Sequence, residues 1–156
     1  MKAQHSLQDR YSPNGVCFGC GPANQKGLHI KSRLEGDRFV ADWLPESHHT
    51  AFAGVANGGI IATLLDCHGN MAAAYSLMKA KGLASPPGTV TAELAVKFLK
   101  PTPMKKQLHL AAWCTGIEGD KARVEGDLEF GGVKTASMLG LYVAVKKGHP
   151  AFHKWK

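Results

Sequence analysis

Two features of this chain have residue types and a spacing that suggest chemistry: the glycine pair Gly58-Gly59 after Asn57, and Asp66 at the far end of the apolar run Ile60-Ile61-Ala62-Thr63-Leu64-Leu65. A helix starting at the glycines leaves its first N–H groups without intrahelical acceptors, and the helix dipole makes that end attractive to negative charge. Glycine also lets a ligand carbonyl come close to the backbone. This is the chemistry of an oxyanion-type donor. Asp66 falls where the pattern predicts burial, and a buried carboxylate is costly unless paired or hydrogen-bonded. Asp66 lies eight residues after Gly58, about 12 Å along a helix at ~1.5 Å per residue. A general base and an oxyanion donor must each come within roughly 3 Å of the same reacting group. One helix cannot do that with this pair. Two antiparallel copies related by a two-fold axis could, so joint action of Gly58 and Asp66 implies a homodimer with two equivalent sites. The plainer alternatives are an Asp66 bonded to a backbone amide or to His68, and an Asn57 that serves only as a helix N-cap.

The remaining candidates carry weaker signals. Cys17-Phe18-Gly19-Cys20 has Cys-x-x-Cys spacing, but a structural zinc needs four ligands, and no second Cys-x-x-Cys or His pair is suitably placed. Cys67 and Cys114 stand alone in the sequence. The glycines and proline around the pair break structure instead of opening a redox helix, so a packed loop without metal or cofactor is expected. His48-His49 sits in a loop, where a solvated pair is the ordinary reading.

These residues need elements to position them. Residues 58–80 lack proline and are rich in Ala, Leu, Ile and Met, which predicts one helix some 34 Å long at ~1.5 Å per residue. Its first half is apolar on nearly every face, so the fold should wrap it; Gly82 should end it. Residues 28–34 and 38–43 alternate apolar and polar, with Glu35-Gly36-Asp37 as a hairpin turn. Four further strands are predicted at 90–100, 107–117, 121–130 and 133–145. Two hairpin strands, a buried helix and four antiparallel strands make an α+β architecture, a curled sheet around one long central helix. The expected division is an N-terminal loop segment at 1–27, one domain at 28–147, and a basic, aromatic tail at 148–156.

The 156 residues carry 19 Lys+Arg against 12 Asp+Glu, and the excess is spread along the chain. No run is long enough for a basic nucleic-acid arm, whereas a diffuse positive surface suits small polyanions such as multiply phosphorylated nucleotides. No window has the uninterrupted apolar length of a membrane span, and the N-terminal residues do not form a secretory signal. The expectation is a cytoplasmic protein with reduced thiols.

The run from Asn57 to Asp66 resembles the helix motif of the hotdog-fold thioesterases of the PaaI-like group, in which His-Gly-Gly, a short apolar run and Asp follow at this interval. The run Val90-Thr91 to Lys100-Pro101 is similar to their third-strand signature, and Cys17-Phe18-Gly19-Cys20-Gly21 with Asn24 and Gly27-Leu28 is similar to a loop found before their first strand. The resemblance implies hydrolysis of an acyl-coenzyme A thioester in a homodimer or a dimer of dimers. Gly58 N–H would polarise the carbonyl. Asp66 of the partner would activate water or attack directly, and Thr91 would orient the water or the carboxylate. Asn57 and Gly59 would contact substrate. Asn57 stands where the group has His, and Ala51 where several relatives have a substrate-positioning Asn, a task that His48 or His49 could take over. A non-catalytic acyl-thioester binding protein and a hotdog hydratase or dehydratase are the alternatives.

Overall fold

Three glycine-bearing turns set the register of the sheet. Strands β1 (Arg33–Glu35) and β2 (Arg38–Trp43) pair with Glu35 opposite Arg38 across Gly36-Asp37. The two-residue turn requires a left-handed residue, and Gly36 supplies it with φ of +63°. Glu118 pairs with Lys121 across Gly119-Asp120, and Phe130 with Val133 across Gly131-Gly132.

The computed structural model describes residues 5–155. The expectation about the first four residues and that about Lys156 lie outside the described residues. In addition to β1 and β2, the chain forms the short helix α1 (Leu7–Tyr11), the ribbon β3 (Thr50–Phe52) and β4 (Val55–Ala56), and the long helix α2 (Gly58–Ala80). Strands β5 (Thr89–Phe98), β6 (Leu108–Glu118), β7 (Lys121–Phe130) and β8 (Val133–Ala144) follow. The main sheet is antiparallel with order β1-β2-β6-β7-β8-β5, and α2 lies across it. This is the hotdog fold. Among the described residues no helix is long and apolar enough to cross a membrane.

Helix α2 packs on the inward positions of the strands. Ala122, Val124 and Leu128 of β7, with Leu108, Leu110 and Ala112 of β6, are buried against Leu64, Leu65, Met71 and Leu77. A fully buried leucine contributes roughly 1.5–3 kcal/mol. The closest approach is at Gly69: a Cβ there would lie 2.3 Å from Met138 Cε and 2.4 Å from the Tyr142 hydroxyl. Leu83 N donates to Met78 O (2.9 Å) past a left-handed Gly82, which closes the helix as expected.

The structure corrects two expectations. The expected strand at 28–34 is reduced to Arg33–Glu35. His29 has φ of +53°, and Leu28 N and Ile30 N donate to Phe18 O and Gly19 O, so the Cys-x-x-Cys loop takes the hydrogen bonds a strand neighbour would need. The most deeply wrapped part of α2 is its middle, His68–Ala74, while the first two turns leave a partly open face at Gly59, Ile60 and Thr63. Residues 148–155, for which the sequence implies no role, pack against the domain. Ala151 O lies so close to Gly88 that a Cβ would sit 2.4 Å away, and the indole of Trp155 donates to Pro87 O (2.6 Å).

Candidate active site

The first turn of α2 has one amide to spare. Asn57 caps the helix with its side-chain Oδ1, which accepts from Gly59 N (2.8 Å) and Ile60 N (3.2 Å), while its carbonyl accepts from Ile61 N (3.1 Å). Among the described residues Gly58 N–H has no acceptor. The cap thus engages the Gly59 amide and leaves that of Gly58. The amide of Asn57 itself donates to His49 O (2.8 Å), which fixes where the helix begins.

Two turns on, Asp66 is half-buried and accepts a hydrogen bond from Thr91 Oγ1 of β5 at 2.8 Å. Burial raises the proton affinity of its carboxyl above the ordinary range; the Thr91 hydroxyl and the Lys154 charge oppose this, and burial wins. Asp66 faces a cavity of about 480 Å³ whose walls include Gln8, Cys17, Cys20, Cys67, Asn70, Thr91, Lys154 and Trp155. Lys154 Nζ donates to Thr89 O (2.6 Å) and Asn70 Oδ1 (3.3 Å), and Thr89 Oγ1 also donates to Asn70 Oδ1 (2.7 Å). The tail is therefore a wall of this cavity. Burial lowers the pKa of Lys154.

Sequence reasoning missed Asn70, Lys154 and Cys67 as site residues. Asn70 had a signal, because it lies one turn beyond Asp66 on the same face of an otherwise apolar helix. Lys154 had none.

The histidines lie elsewhere. His49 is buried in a short 3₁₀ turn (Ser47–His49), its ring 5.0 Å from that of Trp43 and its Nδ1 accepting from Glu46 N (2.9 Å). Burial, then the neighbouring His48, lowers its pKa. His48 and His49 border a different cavity, with Phe18, Lys26 and Ile60, so one chain does not bring them to Asp66. His68 points away from Asp66. Its Nε2 donates to Phe39 O (3.0 Å), so its Nδ1 accepts from Ser32 Oγ (2.8 Å). Ser32 Oγ accepts from Gln8 Nε2 (2.9 Å), and Gln8 Oε1 accepts from Ser32 N (2.7 Å). Both ring nitrogens are used, which removes His68 as the acid–base histidine a hydratase would need.

The Cys-x-x-Cys loop folds over α2. The Sγ atoms of Cys17, Cys20 and Cys67 all lie within 4.8 Å of one another, with Cys17 and Cys67 3.7 Å apart. Gly19 makes this possible, since a Cβ there would sit 2.3 Å from Cys67 Sγ. Hydrogen bonds from the Cys20 and Cys67 thiols, and from the Cys20 and Gly19 amides, hold the Cys17 thiol far below its usual range. Its partner role pushes Cys20 up to about 12 and raises Cys67 as well.

Comparison with known proteins places the fold. Residues 53–135 match the family model described as the thioesterase superfamily. A thioesterase superfamily protein from Shewanella loihica is 30% identical, with a TM-score of 0.66 over 80% of this chain and 98% of that one. A phenylacetic acid degradation-related protein from Ralstonia eutropha shares the fold at 19% identity (TM-score 0.65; 81% and 92% covered). So does a Streptococcus mutans protein solved with acetyl-CoA bound, at 16% identity (TM-score 0.63; 76% and 90% covered). No curated protein sequence matches the chain.

Proposed function

Since the chain belongs to the thioesterase superfamily, we propose that it hydrolyses an acyl-coenzyme A thioester at a site shared between two copies of the chain. The observation that carries this reading is the pair formed by the free Gly58 N–H and the Thr91-bonded Asp66 on one helix. Gly58 N–H receives the thioester carbonyl oxygen and stabilises the oxyanion as water adds. The second copy's Asp66 takes the proton from that water, a task for which a carboxylate of raised proton affinity is suited. Collapse of the tetrahedral intermediate then breaks the C–S bond and releases the CoA thiol and the free acid. Thr91 holds the carboxylate in one orientation, and Asn57 keeps the Gly58 amide free by capping the next two.

Exposed apolar side chains support the two-copy arrangement. Phe98 and Leu99, at the end of the edge strand β5, are 57% and 50% exposed, and the Phe98 ring lies beside Gly58. Covering the exposed half of each would contribute roughly 1 kcal/mol. Coenzyme A as the thiol carrier is supported by the acetyl-CoA held by the Streptococcus mutans relative of this fold. The basic surface suits its phosphates.

The test is thiol release across a panel of acyl-CoAs by wild type, Asp66→Asn and Gly58→Pro. Proline is tolerated at the first helical position and has no N–H, so Gly58→Pro removes the donor and keeps the helix. Asp66→Asn is expected to lower kcat by about 10²–10⁴. Mixing the two variants with subunit exchange should restore about a quarter of wild-type activity, because half of the dimers are mixed and each carries one intact site. No recovery on mixing would refute the shared site, and equal rates for wild type and Asp66→Asn would refute the role of Asp66.

A further inference from the structure

Three of the four cysteines converge at one point. Cys17 and Cys20 come from the N-terminal loop and Cys67 from the central helix, and their Sγ atoms lie within 4.8 Å of one another in the described structure. A disulfide would use two of these sulfurs and leave the third without a role. A tetrahedral thiophilic ion uses all three. With metal–sulfur bonds of about 2.3 Å, sulfurs bound to one tetrahedral zinc are separated by about 3.8 Å, and Cys17 and Cys67 are 3.7 Å apart.

The loop has the build of a metal knuckle. Gly21 N donates to Cys17 O (2.8 Å), closing the turn that brings Cys20 back beside Cys17. Gly19 packs its bare Cα over Cys67 Sγ, so the loop is shaped around that sulfur.

The structure assigns to Cys17, Cys20 and Cys67 a binding site for one zinc-class, thiophilic metal ion, with its fourth position open to water or a small thiol from the cavity. This departs from the expectation of a metal-free loop. That expectation found no second ligand pair in the sequence and treated Cys67, 47 positions after Cys20, as unconnected to the first. Among the described residues no fourth His, Cys, Asp or Glu joins the three, which leaves the last position to solvent. The site does not depend on the thioesterase reading, because its ligands are not the residues assigned to hydrolysis.

The test uses the reduced full-length chain with zinc or cobalt(II) alone. Expected are one zinc retained per chain after desalting, and a cobalt derivative with thiolate-to-metal charge-transfer absorption and tetrahedral visible bands. Cys17→Ser and Cys67→Ser should lose both signals, while Cys114→Ser keeps them. Should Cys67→Ser not fold, alkylation of wild type decides: bound zinc should protect Cys17, Cys20 and Cys67 and leave Cys114 labelled. No retained zinc with all thiols reduced, equal labelling of the four cysteines with and without zinc, or undiminished binding by Cys17→Ser would each overturn the assignment.

Discussion

Mild acid should destabilise this protein through one imidazole. His68 is fully buried, and burial pushes its pKa down from 6.5 to about 4. Its neutral form is held by Phe39 O at Nε2 and Ser32 Oγ at Nδ1, so a second ring proton would have no acceptor without rearranging the Gln8–Ser32 pair. Between pH 6.5 and 4 the unfolded chain binds a proton here that the folded chain does not. Stability is therefore complete above the unfolded value and falls as pH drops through this window. The difference of about 2.5 pKa units at 1.36 kcal/mol each amounts to about 3 kcal/mol, against the 5–15 kcal/mol typical of a domain. For a chain of this size that is a fall in Tm of about 6–12 °C. Urea or thermal unfolding from pH 7.5 to 4, in the presence of a chelator, measures it. His68→Gln keeps an N–H for Phe39 O and has no titratable ring, so its stability should be much flatter over the window. Carboxylates act alike in both proteins: Asp66, raised by burial, takes up its proton above 3.8 in the folded chain and works against the fall. Asp42, held down by His109 and Arg33, and Asp9, held down against burial by Lys31, protonate below their ordinary 3.8. His49, whose pKa is also lowered, contributes equally to both proteins. If wild type and His68→Gln lose stability in parallel, the buried imidazole is not the acid-sensitive group and the reasoning fails.

Three other outcomes are expected. Thr91→Val deletes a hydrogen bond to a carboxylate, a loss of about 1.5–3 kcal/mol; kcat should drop roughly 10–100-fold with little change in KM, and the acid limb of the pH–rate profile should move to higher pH, since that bond lowers the Asp66 pKa. Gly69→Ala places a methyl group against Met138 and Tyr142 and should destabilise by about 1–3 kcal/mol in urea titration, whereas a neutral result would show that the helix can lift from the sheet there. Lys154→Met removes the donor to Thr89 O and Asn70 Oδ1. It should cost about 1–3 kcal/mol of stability and shift the acid limb upward as well, because the Lys154 charge lowers the Asp66 pKa.

What the sequence disclosed and what it hid divide by the range of the interactions. The span of α2, the glycine turns and the strands β5 to β8 are local matters of periodicity, capping and left-handed backbone, and the expected boundaries lie within two residues of those observed. The pairing of Thr91 with Asp66 was reached only through the family resemblance, since strand alternation does not say which helix residue a threonine meets. The segment from Leu28 to Ser32 was misread as strand because its apolar residues are buried; what buries them is the Cys-x-x-Cys loop, and periodicity does not identify a partner. Cys67 looked isolated for the same reason. Asn57 looked like a departure from the family pattern. Its capping geometry now explains why Gly58, and not Gly59, has the available amide.

The cavity beside Asp66 draws its walls from widely separated stretches: Gln8 to Cys20, the central helix, β5, and Lys154 with Trp155. Lys154 reaches Asn70 across 84 positions of chain. During synthesis the helix and all the strands leave the ribosome before this last wall does. The sheet and helix alone therefore leave Asp66 open to water along one side, and the pocket is complete only when this segment docks. Loss of the Lys154 and Trp155 contacts should appear in the pocket before it appears in the fold.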